Sequence, residues 1–90
     1  MSMINITELG ERLGVSRTTV LRHMAQGTLT QGVKMGKRDL AWPLREIEAL
    51  ELARIALWSD AKLMMLVNRL MDRREQEANA AVDELLQVNS

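Results

Sequence analysis

The stretch Leu13-Gly-Val-Ser-Arg-Thr-Thr-Val-Leu-Arg-His-Met-Ala-Gln26 decides how this chain is read. Gly14 supplies the left-handed backbone that a tight helix stop needs. Ser16 is a good N-cap, because its hydroxyl accepts from an amide N–H that a new helix leaves unpaired. The pattern predicts a helix ending near Leu13 and a second one over Arg17 to Gln26, closed by Gly27. On the second helix Val20 and Met24 are four apart and share the inward face with Val15, which plugs the angle between the helices. Arg17, Thr18, Leu21, Arg22 and Ala25 fall on the other faces.

Toward the N-terminus, the first helix is expected from Ile6 and Thr7 to about Leu13. Thr7 is the expected cap, and Glu8 suits the positive helix end. Gly10 sits inside this helix, where it costs about 1 kcal/mol relative to alanine. Close approach of the second helix would explain its presence. Two short helices joined by a three- to four-residue turn have helix-turn-helix geometry. The second helix is then the one expected in a DNA major groove, with Ser16, Arg17, Thr18, Thr19 and Arg22 at the contact. Arg17 and Arg22 suit guanine or phosphate, and Thr18 a base edge or methyl group.

Toward the C-terminus, Gly32-Val-Lys-Met-Gly-Lys-Arg-Asp-Leu-Ala-Trp42 reads as two short strands about the charged turn Gly36 to Asp39. Val33, Met35, Leu40 and Trp42 are the candidates for its buried face. Lys34, Lys37 and Arg38 project as a two-stranded wing onto the sugar-phosphate backbone. Pro43 fits the first position of a third helix. That helix reaches about Leu57 and is expected to pack back through Leu44, Ile47 and Leu50.

Ser59-Asp60 opens a fourth helix, with Trp58 and Leu63 at the spacing of a hydrophobic staple. From Asp60 to about Val88 there is neither glycine nor proline. Met64, Val67, Met71, Ala78, Ala81, Leu85 and Val88 follow a 3.5-residue repeat broken at Arg74. Such a stripe is expected to pair with a second copy, giving a homodimer. Folding back over the chain's own core is the alternative for the Leu63 to Met71 part. Residues 1–58 thus form the expected DNA-binding domain and residues 59–90 the dimerisation element.

Composition narrows the function classes. The 90 residues carry 12 basic and 12 acidic side chains, yet the charge is unevenly placed. Residues 1–42 hold six basic against three acidic, net +3, and residues 43–90 hold six against nine, net −3. The basic half carries the expected reading head. The absence of cysteine excludes disulfides and thiolate metal sites. No apolar run has membrane-spanning length and no signal-peptide pattern is present, so a cytoplasmic location is expected. His23, the single histidine, is expected at the core edge rather than in a site. Gly32 and Gly36 lack the strand-to-helix context of a nucleotide loop. No catalytic set is visible, and the expected protein is not an enzyme and takes no cofactor, metal or small-molecule ligand.

Leu13-Gly-Val-Ser-Arg-Thr-Thr-Val20, Arg22, Gly27, Val33-Lys-Met-Gly-Lys-Arg38 and Trp42-Pro-Leu-Arg-Glu-Ile-Glu-Ala49 together resemble the AlpA-like prophage regulators. These lie in the winged-helix group with MerR-type DNA-binding domains and phage excisionases. The resemblance covers roughly residues 4 to 55. It implies a mainly α winged helix-turn-helix and a sequence-specific regulator of a prophage or mobile element acting on double-stranded DNA. His23 and Leu50 stand where the family usually carries aromatics. The long C-terminal helix lies outside the compact family pattern. A dimer implies an inverted-repeat site with half-sites about 10 base pairs apart. An excisionase role, a packaging role like that of terminase small subunits, and a helix-mediated protein adaptor are the alternatives.

Overall fold

The computed structural model describes residues 2–88, the last by its backbone alone. The elements run β1 (Met3–Asn5), α1 (Ile6–Leu13), α2 (Arg17–Gln26), β2 (Val33–Lys34), β3 (Leu40–Pro43), α3 (Leu44–Ile55) and α4 (Asp60–Val88). The described residues are mainly helical, with one small antiparallel sheet in the order β1-β3-β2.

The sheet corrects the expectation of two strands. β1 pairs with β3 in the register Met3↔Pro43, Ile4↔Trp42, Asn5↔Ala41. The Leu44 amide extends this ladder by donating to the Ser2 carbonyl at 2.9 Å. β3 is therefore central, and Ala41, Trp42 and Pro43 are all buried. Pro43 closes this strand and caps α3, which begins one residue later than expected.

The register also moves one expected face. Val33 pairs with Ala41 and Lys34 with Leu40. Successive strand residues point to opposite sides, so a one-residue offset reverses every side chain. Val33 thus shares a face with Ala41, not with Leu40 and Trp42, and both Val33 and Met35 are exposed. Trp42 fills the space they were expected to share. Its indole N–H donates to the Thr30 carbonyl at 2.7 Å. A Cβ on Gly32 would stand 2.9 Å from Trp42 Cζ2, so glycine at that position makes room for the indole.

α1 is capped by Asn5 rather than Thr7. Asn5 Oδ1 accepts from the Glu8 amide at 2.8 Å, and the Glu8 carboxylate accepts in return from the Asn5 amide, which completes a capping box. Gly14 ends the helix at φ 69°. A Cβ on Gly10 would stand 2.9 Å from the Val15 carbonyl oxygen and 4.0 Å from Val20 Cγ2. The close approach that requires Gly10 thus comes first from the turn and second from α2. Ser16 caps α2 as expected, accepting from the Thr19 amide at 3.2 Å. α3 stops at Ile55, two residues short of its expected end. Leu57 is left-handed at φ 59° and 89% exposed. For a residue with a Cβ this conformation costs about 1–2 kcal/mol. Ser59 Oγ then accepts from the Lys62 amide at the start of α4.

One core serves the whole chain. Ile4, Ile6, Leu9, Val20, Leu29, Trp42, Ile47, Leu50 and Ala53 meet Leu63, Val67 and Leu70 of α4. The boundary expected after residue 58 therefore runs through a shared core. The break in the α4 stripe at Arg74 has a structural reason. Glu46 on α3 is 2% exposed, and Arg74 reaches it with two nitrogens at 2.7 and 2.6 Å. The third Arg74 bond goes to the Gln31 carbonyl at 2.7 Å. A buried carboxylate demands such a partner, and the planar guanidinium supplies a bidentate one. Further along, Glu77 pairs with Arg45 of α3 and with Arg73 of its own helix. Beyond Ala78, α4 projects into solvent for ~15 Å at 1.5 Å per residue.

Candidate nucleic-acid interface

The outward side of α2 carries Arg17, Thr18, Leu21, Arg22 and Ala25, all exposed. Ser16 and Thr19 have a different task. The Ser16 hydroxyl donates to Thr19 Oγ1 at 3.1 Å while capping the helix, and Thr19 is half-buried. Arg22 Nη2 donates to the same Thr19 oxygen at 3.3 Å, which lays its guanidinium back along the helix. Of the five α2 positions expected at DNA, Arg17, Thr18 and Arg22 face outward. Ser16 and Thr19 hold the start of the helix in shape.

The hairpin approaches that same start. Arg17 Nη2 donates to the Arg38 carbonyl at 3.2 Å, across twenty-one residues of sequence. The hairpin itself is closed by a bond from the Met35 amide to the Asp39 carbonyl at 2.9 Å. Lys34, Lys37 and Arg38 are exposed on it. Among the described residues, Arg17, Arg22, Lys34, Lys37 and Arg38 make no ion pair with a carboxylate. Arg12, counted in the basic half of the sequence, is taken by Glu51 in a bidentate pair that ties α1 to α3. The basic surface is thus narrower than composition implies but undivided.

Helix polarity adds to this surface. The first turn of α2 contains no acidic residue, and Arg17 stands at its positive end. A cation there is mildly unfavourable in the isolated chain and favours an arriving anion.

The other end of α2 holds His23, at the core edge where it is expected. His23 is half-buried, and its Nδ1 lies 3.3 Å from Thr28 Oγ1. Burial lowers its pKa below the ordinary histidine value, and the charges of Arg54 and Arg22 push it the same way. Arg54, exposed in the last turn of α3, therefore belongs to this neighbourhood although it lies in the acidic half of the chain. No group of three or more histidine, aspartate or glutamate side chains among the described residues is arranged to hold a metal ion. Among the described residues, no helix is long and apolar enough to cross a membrane.

The residues expected to dimerise divide into two sets. Val67 is buried in the chain's own core, out of reach of a second copy, and Met71 is half-buried against that core. The fold-back alternative describes this part of α4. Met64 is partly exposed beside Gly27. Ala78, Ala81 and Leu85 are exposed. The Val88 side chain lies outside what is described. No family model, curated protein or solved structure matches the chain.

Proposed function

We propose that this chain is a winged helix-turn-helix regulator that binds double-stranded DNA in a sequence-specific way, of the prophage or mobile-element kind its motifs resemble. α2 enters the major groove and the β2–β3 hairpin acts as the wing on the adjacent backbone. The bond from Arg17 to the Arg38 carbonyl carries this reading. It joins the reading helix and the wing into one surface whose five cations have no carboxylate partner among the described residues. Arg17, Thr18 and Arg22 read or grip the groove, and Lys34, Lys37 and Arg38 hold phosphate. Arg54 extends the grip at the far end of α2. Excisionase and packaging roles share this DNA-binding step. Self-association is assigned to the part of α4 beyond Glu77, which includes Ala78, Ala81 and Leu85.

The test is fluorescence anisotropy against random duplex DNA over a salt series, followed by selection of bound sites from a random pool. Phosphate contacts from Lys34, Lys37, Arg38 and Arg54 predict a log–log salt slope of about −3 to −4. Absence of binding at low salt, or binding indifferent to salt, overturns the proposal.

A further inference from the structure

The corner where α3 passes into α4 exposes Leu52 at 67%, Ile55 at 76% and Leu57 at 89%, with Trp58 and Met65 beside them. A groove of about 320 Å3 runs between Trp58, Lys62, Met65, Leu66 and Arg69. It adjoins a second groove that reaches Leu52 on α3. Lys62 Nζ lies 4.1 Å from the Trp58 ring centre. Neither Lys62 nor Arg69 pairs with a carboxylate among the described residues. An apolar floor with a basic rim suits an amphipathic helix whose apolar stripe is edged by a carboxylate.

The chain carries such a helix at its other end. Val82, Leu85 and Leu86 are exposed at i, i+3 and i+4 near the end of α4. Asp83 lies at the edge of this stripe, next to Leu86 around the helix, and forms no ion pair among the described residues. This end cannot reach the groove of its own chain, because α4 is one continuous helix and Glu84 lies ~22 Å beyond Arg69 along it. We infer that the distal end of α4 from a second copy docks in the Trp58 corner, with Asp83 meeting the Lys62 and Arg69 rim. This deepens the self-association part of the proposed function and is independent of DNA binding.

The geometry also fixes the kind of contact. At 3.6 residues per turn, the groove-lining side of α4 and its distal apolar side lie roughly 160° apart around the helix axis. Two straight antiparallel helices present one side to each other, so a symmetric pair cannot bury both surfaces twice. The contact is heterologous, tail to corner, and leaves one tail and one corner open on every pair.

Sedimentation velocity of the full chain without DNA tests this. A corner variant, Trp58→Ala, and a tail variant, Val82→Glu/Leu86→Glu, are each expected to weaken self-association at least about tenfold. Mixed in equal amounts, the two form a discrete one-to-one complex, because the tail of the first still meets the corner of the second. A rim variant, Lys62→Glu/Arg69→Glu, leaves the apolar floor intact and is expected to recover association only with Asp83→Lys. A corner variant that associates like the unmodified chain overturns the inference, as does a mixture that remains monomeric. An unmodified chain that stays monomeric throughout also overturns it. Anisotropy on random duplex, run on the same variants, separates this outcome from the fate of the DNA-binding reading.

Discussion

Arg17 on α2 donates to the backbone carbonyl of Arg38 at the tip of the β2–β3 hairpin, 3.2 Å away. One guanidinium nitrogen is thereby committed to holding two elements together. The remaining nitrogens stay available on the exposed side. Arg17→Ala is expected to reduce discrimination between selected and random duplex, because both a groove contact and the hairpin's position are lost. Competition anisotropy measures that ratio. An equal loss on both duplexes would make Arg17 a phosphate contact only.

Lys37 touches nothing that the fold depends on. Lys37→Ala is expected to weaken binding to all sequences alike and to lower the salt slope by about 1. The salt series reads this directly, and an unchanged slope removes the hairpin from the DNA surface.

Arg74 neutralises Glu46, which has almost no access to water. Replacing Arg74 with leucine leaves that carboxylate buried and uncompensated, at an expected cost of about 3–5 kcal/mol. Glu46→Leu/Arg74→Leu should recover most of it, since the expense lies in the orphaned charge. Urea unfolding of both variants compares them.

Gly32 faces Trp42 at a distance that a methyl group cannot share. Gly32→Ala is expected to lose about 1–3 kcal/mol through the displaced indole and to shift the hairpin away from α2. Thermal unfolding and DNA affinity should fall together.

His23 gives a pH dependence whose sign is fixed. Its folded pKa is lowered, first by burial and then by Arg54 and Arg22. The unfolded chain therefore binds the proton more readily once pH falls below ~6.5. Stability is full above that value and declines as pH falls from it through the folded pKa. His23→Gln should flatten this slope in urea titrations between mildly acidic and neutral pH.

Truncation separates the two halves of α4. Removing residues 78–90 leaves Leu63, Val67, Leu70, Arg74 and Glu77 in place, so the fold should persist while self-association is lost. Removing everything after residue 58 takes away three core side chains and the partner of Glu46, and should unfold the protein. Circular dichroism and sedimentation distinguish the two cases.

The helices were legible because each announces itself locally. Ser16 as cap, Gly14 and Gly27 as stops, and the unbroken run after Asp60 all act within a few residues. β1 was not, since Met3-Ile4-Asn5 is too short to show a period and its partner lies far along the chain. Asn5 was passed over as a cap for the same reason: only the strand before it fixes where α1 begins. The face of Val33 depended on a register that neither strand specifies alone. Arg74 looked like a flaw in an apolar repeat because its meaning resides in Glu46, twenty-eight residues earlier. Of the residues proposed to face DNA, the outward arginines and the hairpin cations follow from spacing. Arg54 and the Trp58 corner do not, because folding alone brings α3 beside the ends of α2 and α4.

The ion pair between Glu46 and Arg74 bears on how the chain is made. During synthesis β1 has no partner until β3 is complete, and Glu46 has no counter-charge until α4 has grown past its fourth turn. Everything up to Glu46 is thus synthesised before the arginine that neutralises it. A nascent chain paused before residue 74 would carry the Glu46 carboxylate without its counter-charge. α3 therefore gains its neutralised, buried carboxylate only once a residue twenty-eight positions downstream has been added.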